Sequence, residues 1–144
     1  MRNIAVILAV VALLFSCSKE ETTTEPTPPE SIIGQYRIST LTGNNEIYRF
    51  DACFDRTFFT FEAFGTGYHD IYAQNANNGC GVIETGIISW SKSNNTYIIN
   101  SDTGLLVGTA ENAAKNGTAV LEDTTLIITF FENDITYVLS CTKM

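Results

Sequence analysis

The sequence predicts an all-β body, a single antiparallel domain of about eight to ten strands. Three observations predict it. Between Ile32 and Met144 no window of helical length carries an apolar stripe. Short runs of Ile, Val, Phe, Tyr and Thr instead alternate with clusters of Asn, Gly and Asp. Those turn clusters recur at fairly regular spacing, which suits a closed barrel or a sandwich.

The elements follow in order. Gly34 to Leu41 alternates, with Tyr36 and Ile38 on one face and Gln35, Arg37 and Ser39 on the other. Thr42-Gly43-Asn44-Asn45 turns into a short strand over Glu46 to Phe50. Thr57 to Phe64 sets Phe59, Phe61 and Ala63 against Thr60 and Glu62, and Gly65-Thr66-Gly67 turns it back into Tyr68 to Ala73. A long Asn/Gly loop covers Gln74 to Gly81. The next strand, Ile83 to Ser91, carries Ile88 and Trp90 on one face, and Ser93-Asn94-Asn95 leads into Thr96 to Asn100. A weak strand is expected over Gly104 to Thr109, and Ala113-Ala114-Lys115 reads as a helical turn. Thr118 to Leu121, Thr125 to Phe131 and Ile135 to Thr142 complete the set, the last two joined across Glu132-Asn133-Asp134 as a hairpin. No internal repeat is visible.

Ahead of this body the chain is of another kind. Arg2 precedes an unbroken apolar run from Ile4 to Phe15, followed by Ser16 and Cys17. A positive start, a short apolar core and a small residue make a secretory signal over residues 1–16. The run is too short to span a bilayer. Residues 17–31 hold Thr22-Thr23-Thr24, Pro26, Pro28, Pro29 and four glutamates, with no apolar side chain able to join a core. Such a segment stays extended and solvated, and at about 3.1 Å per residue it spans roughly 40 Å. Residues 32–144 then form one domain with one core.

The formal charge of the 144-residue chain is −8. That excess argues against nucleic acid as a partner and against direct electrostatic binding to anionic lipid. Besides Cys17 there are three cysteines, Cys53, Cys80 and Cys141. Export permits a disulfide among them. Cys53 and Cys80 both lie in turn-rich surroundings, and their pairing is the favoured one. Cys141 sits in a strand-like run and reads as a small buried apolar residue, with its pairing to either of the others as the alternative.

Leu14-Phe15-Ser16-Cys17 resembles the lipobox of bacterial lipoproteins, with Phe15 where a smaller residue is usual. The resemblance implies cleavage before Cys17 and acylation of that cysteine, which two or three chains would hold on a membrane nearly permanently. Ser18-Lys19-Glu20-Glu21 is similar to the export signal of surface lipoproteins in the Bacteroidetes group. It implies an outer-membrane lipoprotein exposed at the cell surface, the alternative being one that faces the periplasm. Ile32-Ile33-Gly34-Gln35-Tyr36-Arg37-Ile38, the stretch from Asp51-Ala52-Cys53 through Phe61 with Phe64-Gly65-Thr66, Ile88-Ser89-Trp90 with Asn95 to Ile99, and Leu126 to Phe130 with Val138 to Lys143 together resemble the lipocalin-like domains of such lipoproteins. Tyr36 stands where Trp is usual and Ile88 where Gly is usual. The resemblance implies an up-and-down antiparallel barrel, which either holds one small ligand or fills its interior with side chains. Asp123-Thr124-Thr125 resembles the O-glycosylation triplet of the same group, which makes Thr124 a candidate glycan site.

Catalytic chemistry finds little support. His69 is the single histidine, and its place beside a turn predicts a solvent-facing ring. Asp51 and Asp55 read as turn formers rather than a calcium site. No CxxC or clustered histidine suggests a metal, and no cofactor is expected. Gly65-Thr66-Gly67 is a hairpin turn rather than a phosphate loop, since no helix follows. Tyr36, Phe59, Phe61, Trp90, Tyr97 and Phe130 are the candidate lining of a ligand cavity, and equally the candidate core. The expectation is therefore a non-enzymatic lipid-anchored protein. It either binds a small apolar or amphipathic ligand or, with a filled barrel, contacts a surface protein or glycan through loops such as Gln74 to Gly81.

Overall fold

The computed structural model describes residues 31–48, 51–106 and 114–144. Among the described residues nine strands run in order: β1 (Gly34–Gly43), β2 (Glu46–Tyr48), β3 (Phe58–Phe61), β4 (Thr66–Gln74), β5 (Cys80–Ser93), β6 (Thr96–Ser101), β7 (Asn116–Glu122), β8 (Thr125–Glu132) and β9 (Ile135–Lys143). From β3 onward each strand pairs antiparallel with the next. β1 pairs with β3 through its first half and with β9 along its length, from Tyr36 opposite Lys143 to Gly43 opposite Tyr137. Eight strands thus close into an up-and-down antiparallel barrel, and β2 is an additional strand on the end of β1. Closure removes the unpaired edges an open sheet would expose.

Local chemistry explains the corners. Asn44 and Asn45 (φ +48° and +69°), and Asn133 and Asp134 (φ +49° and +63°), both occupy the left-handed region. Two-residue hairpin loops need positive φ at both positions, which Asn and Asp tolerate best. Strand alternation supplies the core. Tyr36, Ile38 and Leu41, then Phe59 and Phe61, then Leu126, Ile128 and Phe130 point inward with Leu139 and Cys141. A register shift lies between Ile38 and Thr40, and the intervening Ser39 donates its hydroxyl to the Ser140 carbonyl at 2.7 Å.

Several elements differ from expectation. β3 ends at Phe61; Ala63–Gly65 is a 3-10 turn in which Phe64, at φ +64°, is fully exposed. The indole N–H of Trp90 donates to the carbonyls of Glu62 and Thr66 (3.2 and 2.8 Å) and holds that turn. A Cβ on Gly65, itself at φ +80°, would overlap the Trp90 carbonyl oxygen. β5 begins at Cys80, so Cys80 and Gly81 belong to the strand and not to the loop. Gly104 to Leu106, expected as strand, instead makes bends that tuck Leu105 and Leu106 into the core. Ala114 and Lys115 are not helical. Phe50, residues 107–109 and Ala113 lie outside the described residues, as do the signal, Cys17 and the segment to Glu30. Among the described residues no helix is long and apolar enough to cross a membrane.

Candidate functional site

The barrel interior is the first place to look for a ligand. Of the six candidate lining residues, Tyr36 and Phe59 are 0 % exposed and Phe61 1 %. Tyr97 and Phe130 are buried with them, and Trp90 is partly buried against the same cluster. Four of the six form one chain of ring contacts, while Phe59 tilts against His69 and Phe130 stacks on Tyr137. Tyr36 and Phe61 are edge to face at 6.0 Å, Phe61 and Trp90 at 6.5 Å, and Trp90 and Tyr97 at 5.8 Å. Ile71, Ile88, Ile99, Leu126, Ile128 and Leu139 are also 0 % exposed. Side chains at that level touch no water-sized space.

His69 corrects an expectation. It is 0 % exposed, not solvent-facing. β4 alternates Gly67, His69 and Ile71 inward against Tyr68, Asp70 and Tyr72, so the turn beside it had no bearing on its direction. Its Nε2 lies 3.0 Å from Ser101 Oγ. The same oxygen accepts the N–H groups of Gly104 (3.2 Å) and Thr103 (3.4 Å). With both lone pairs engaged, the serine proton points at Nε2, which leaves the ring proton on Nδ1. Nδ1 and Thr103 Oγ1 are both buried without a hydrogen-bond partner. Burial holds the imidazole below its ordinary value of 6.5, although Glu84, Asp102, Asp70 and the Gly104 backbone all favour protonation. Gly86 faces this pair across the β4–β5 ladder, and a Cβ there would overlap His69 Nε2 and Thr103 Oγ1.

The upper rim, where the β4–β5 loop and the β8–β9 turn lie, is tied at one place. Cys53 and Cys80 form a disulfide, with Cα atoms 5.2 Å apart. Next to it Asp51 accepts the N–H groups of Cys53 (2.8 Å), Phe54 (3.1 Å) and Gln74 (3.0 Å). The Gln74 and Cys53 bonds lead in holding its carboxyl below the usual range. Asp51 is thus a turn former, engaged with backbone. Cys141 is buried and free, and burial pushes its thiol up to about 12. Among the described residues no group of three or more His, Cys, Asp or Glu could hold a metal ion. Thr124 is exposed at the β7–β8 turn.

Among the described residues two depressions bear on binding, the first reaching the inward-facing Ile38 and Leu41 and the second on the outer wall. One, of about 300 Å³, lies between Ile38 to Leu41 of β1, Ile47 and Tyr48 of β2, and Phe54 and Asp55. The other, of about 440 Å³, is lined by Gln35, Arg37, Arg56, Phe58, Tyr72 and Met144. Ladder register builds the second. Arg37 pairs with Phe58 and Phe58 with Asp70, so their side chains form one outward row across β1, β3 and β4. In the sequence Arg37 reads only as part of a polar strand face. The convergence of Arg37 and Arg56 with Phe58 and Tyr72 has no local signal, because it depends on which strands pair.

The lipocalin-like domain family model matches residues 32–109. The chain belongs to the lipocalin-like domain family. Among solved structures, that of an uncharacterized protein from Bacteroides eggerthii DSM 20697, a crystal structure at 2.60 Å, is similar at 12% identity. It covers 79% of this chain and 100% of its own, with a TM-score of 0.45. No curated protein matches.

Membership in the lipocalin-like family suggests ligand binding in general. In this lipocalin-like barrel some polar atoms could orient a bound group. Among the described residues they include, inside, His69 Nδ1 and Thr103 Oγ1 and, outside, the guanidinium groups of Arg37 and Arg56. Ser101 and His69 have the spacing of a nucleophile and its base, but Ser101 Oγ is held by two backbone N–H groups and Nδ1 has no carboxylate bonded to it.

Proposed function

We propose that this protein is a lipid-anchored extracytoplasmic binding protein with a solid barrel, which contacts a protein complex or a glycan through its outer face and loops. The observation that carries this reading is the packing of the interior. Tyr36, Phe59 and Phe61 are at most 1 % exposed, and a preformed pocket for a small ligand would leave its lining accessible. Support for the anchor comes from Leu14 to Cys17 and the acidic Pro/Thr-rich segment that follows. The site of action in this reading is the cell-surface side of the outer membrane, and the work is recognition rather than catalysis.

A small apolar or amphipathic ligand inside the barrel is the second reading. What favours it is the presence of His69 Nδ1 and Thr103 Oγ1, two buried polar atoms without partners, within a wall of family-typical architecture. An apolar fluorescent dye titrated into the full chain separates the two. The solid barrel takes up no dye saturably, whereas saturable uptake abolished by a bulky substitution at the interior Ala119 establishes the interior ligand. Membrane fractionation of Cys17→Ala tests the anchor: the variant moves to the soluble fraction, and retention in the membrane would overturn lipidation at this residue.

A further inference from the structure

The outer-wall groove between β1, β3 and β4 carries chemistry that the reading above leaves unnamed. We propose that it is a binding site for an acidic saccharide, a sugar ring bearing a carboxylate. The inference deepens the outer-face reading and rests on it for the choice of glycan over interior ligand.

Charge is the first argument. The chain has 16 acidic and 8 basic residues, yet two arginines converge on one groove of about 440 Å³. Both are exposed, and neither is ion-paired among the described residues. Two of the acids are hydrogen-bonded to other groups. Asp70 accepts the Thr85 hydroxyl at 2.6 Å, and Asp51 accepts three backbone N–H groups. Guanidinium groups left open in this way are suited to bidentate capture of a carboxylate.

The floor is the second argument. Phe58 lies between Tyr68 (6.1 Å, 80°) and Tyr72 (6.3 Å, 41°), so a half-buried aromatic strip runs beside the two arginines. Aromatic faces take the C–H face of a pyranose ring, as amphipathic rings commonly serve at wet interfaces. An extended acidic peptide would use the arginines and leave the strip unused. A polyanion as dense as nucleic acid would meet the repulsion of the rest of the surface. A ring with one carboxylate uses both parts. Gln35, whose amide donates to Thr60 Oγ1 at 3.3 Å, and Met144, whose N–H donates to the Gln35 carbonyl at 2.9 Å, close the lower edge with polar groups and a thioether.

The test is calorimetric titration of the full chain in detergent with a short oligogalacturonate, its methyl-esterified neutral counterpart and a polyglutamate peptide. The expected result is saturable binding of the uronate, weaker by about tenfold or more in Arg37→Ala, in Arg56→Ala and with the neutral sugar. Phe58→Leu weakens the uronate too and leaves any polyglutamate binding unchanged. Because both arginines are exposed, the variants keep the near-ultraviolet dichroism of the parent. In the unmodified chain the arginine side-chain resonances shift on titration, which serves should a variant misfold. No uronate binding, binding indifferent to both arginines, or polyglutamate binding as tightly as the sugar would each overturn the proposal. Repeating the titration with Cys17→Ala separates the claims: a released chain that still binds uronate leaves this site standing where the anchor fails. Dye entry into the barrel overturns the solid-barrel reading alone.

Discussion

A histidine inside a β-barrel sets a pH dependence on the fold. Burial lowers the His69 pKa from 6.5, against the pull of Glu84, Asp102, Asp70 and the Gly104 backbone. In the unfolded chain the ring has its ordinary value. As pH falls below 6.5 the unfolded state therefore takes up the proton first, and stability drops until the lowered folded value is passed. Above 6.5 both states are neutral and the contribution is flat. Urea midpoints measured at about pH 7.5 and about pH 5.5 should thus show the lower value at the acidic end. The variant His69→Gln keeps a hydrogen-bonding group beside Ser101 without a titrating one, and its midpoint should change much less over the same interval. An equal drop in the variant would place the dependence on other groups. Asp51 acts in a separate window: its stabilisation is present above its unfolded value of 3.8 and fades as pH falls through the lowered folded value.

At the scale of elements, the upper rim depends on one covalent tie. Cys53 precedes the 3-10 turn Phe54–Arg56, and Cys80 opens β5, 27 residues later. Closing a loop of that length stabilises by about 3.5 kcal/mol in the chain-entropy model, chiefly through the unfolded state. The double variant Cys53→Ala, Cys80→Ala should lose stability on that scale in denaturant titration. It should keep the β-sheet circular dichroism, since the strand ladders supply the fold. Reductant should lower the melting temperature of the parent and leave the double variant unmoved. The strands themselves were largely legible, because alternation such as Phe59 and Phe61, or Leu126, Ile128 and Phe130, survives tertiary packing. Where reading failed, a local signal pointed the wrong way. Gly79-Cys80-Gly81 looks like loop, yet the β4–β5 ladder continues to Gln74 opposite Cys80. Gly104 to Leu106 is apolar enough for a strand, but Ser101 Oγ holds the backbone of Thr103 and Gly104 in a bend. The Arg37, Arg56, Phe58 groove was illegible for another reason: it is assembled by register between β1 and β3, which no single segment encodes.

For the molecule as a whole, closure between the first and last strands decides whether there is a barrel at all. Ser140 to Lys143 pair with Tyr36 to Thr40, while Cys141 sits fully buried under Leu126 of β8. Removing the last five residues therefore does two things at once. It unzips the lower part of the seam, leaving only Leu41 to Gly43 paired with Tyr137 to Leu139 and baring edges on β1 and β8, and it takes a core side chain from between them. Loss of a buried side chain alone costs about 2–5 kcal/mol, comparable with the entire margin of a small domain. Exposed edges add a route to intermolecular pairing. A chain truncated after Leu139 should accordingly lose its cooperative urea transition and elute as aggregate in size-exclusion chromatography. By contrast, the milder Cys141→Ala, which shortens one buried side chain and keeps the ladder, should remain monodisperse with a reduced midpoint. If the truncated chain unfolded cooperatively near the parent midpoint, closure through β1 and β9 would not be what holds the domain together, and a sheet sealed by the interior packing of Phe59, Ile99 and Leu126 would suffice.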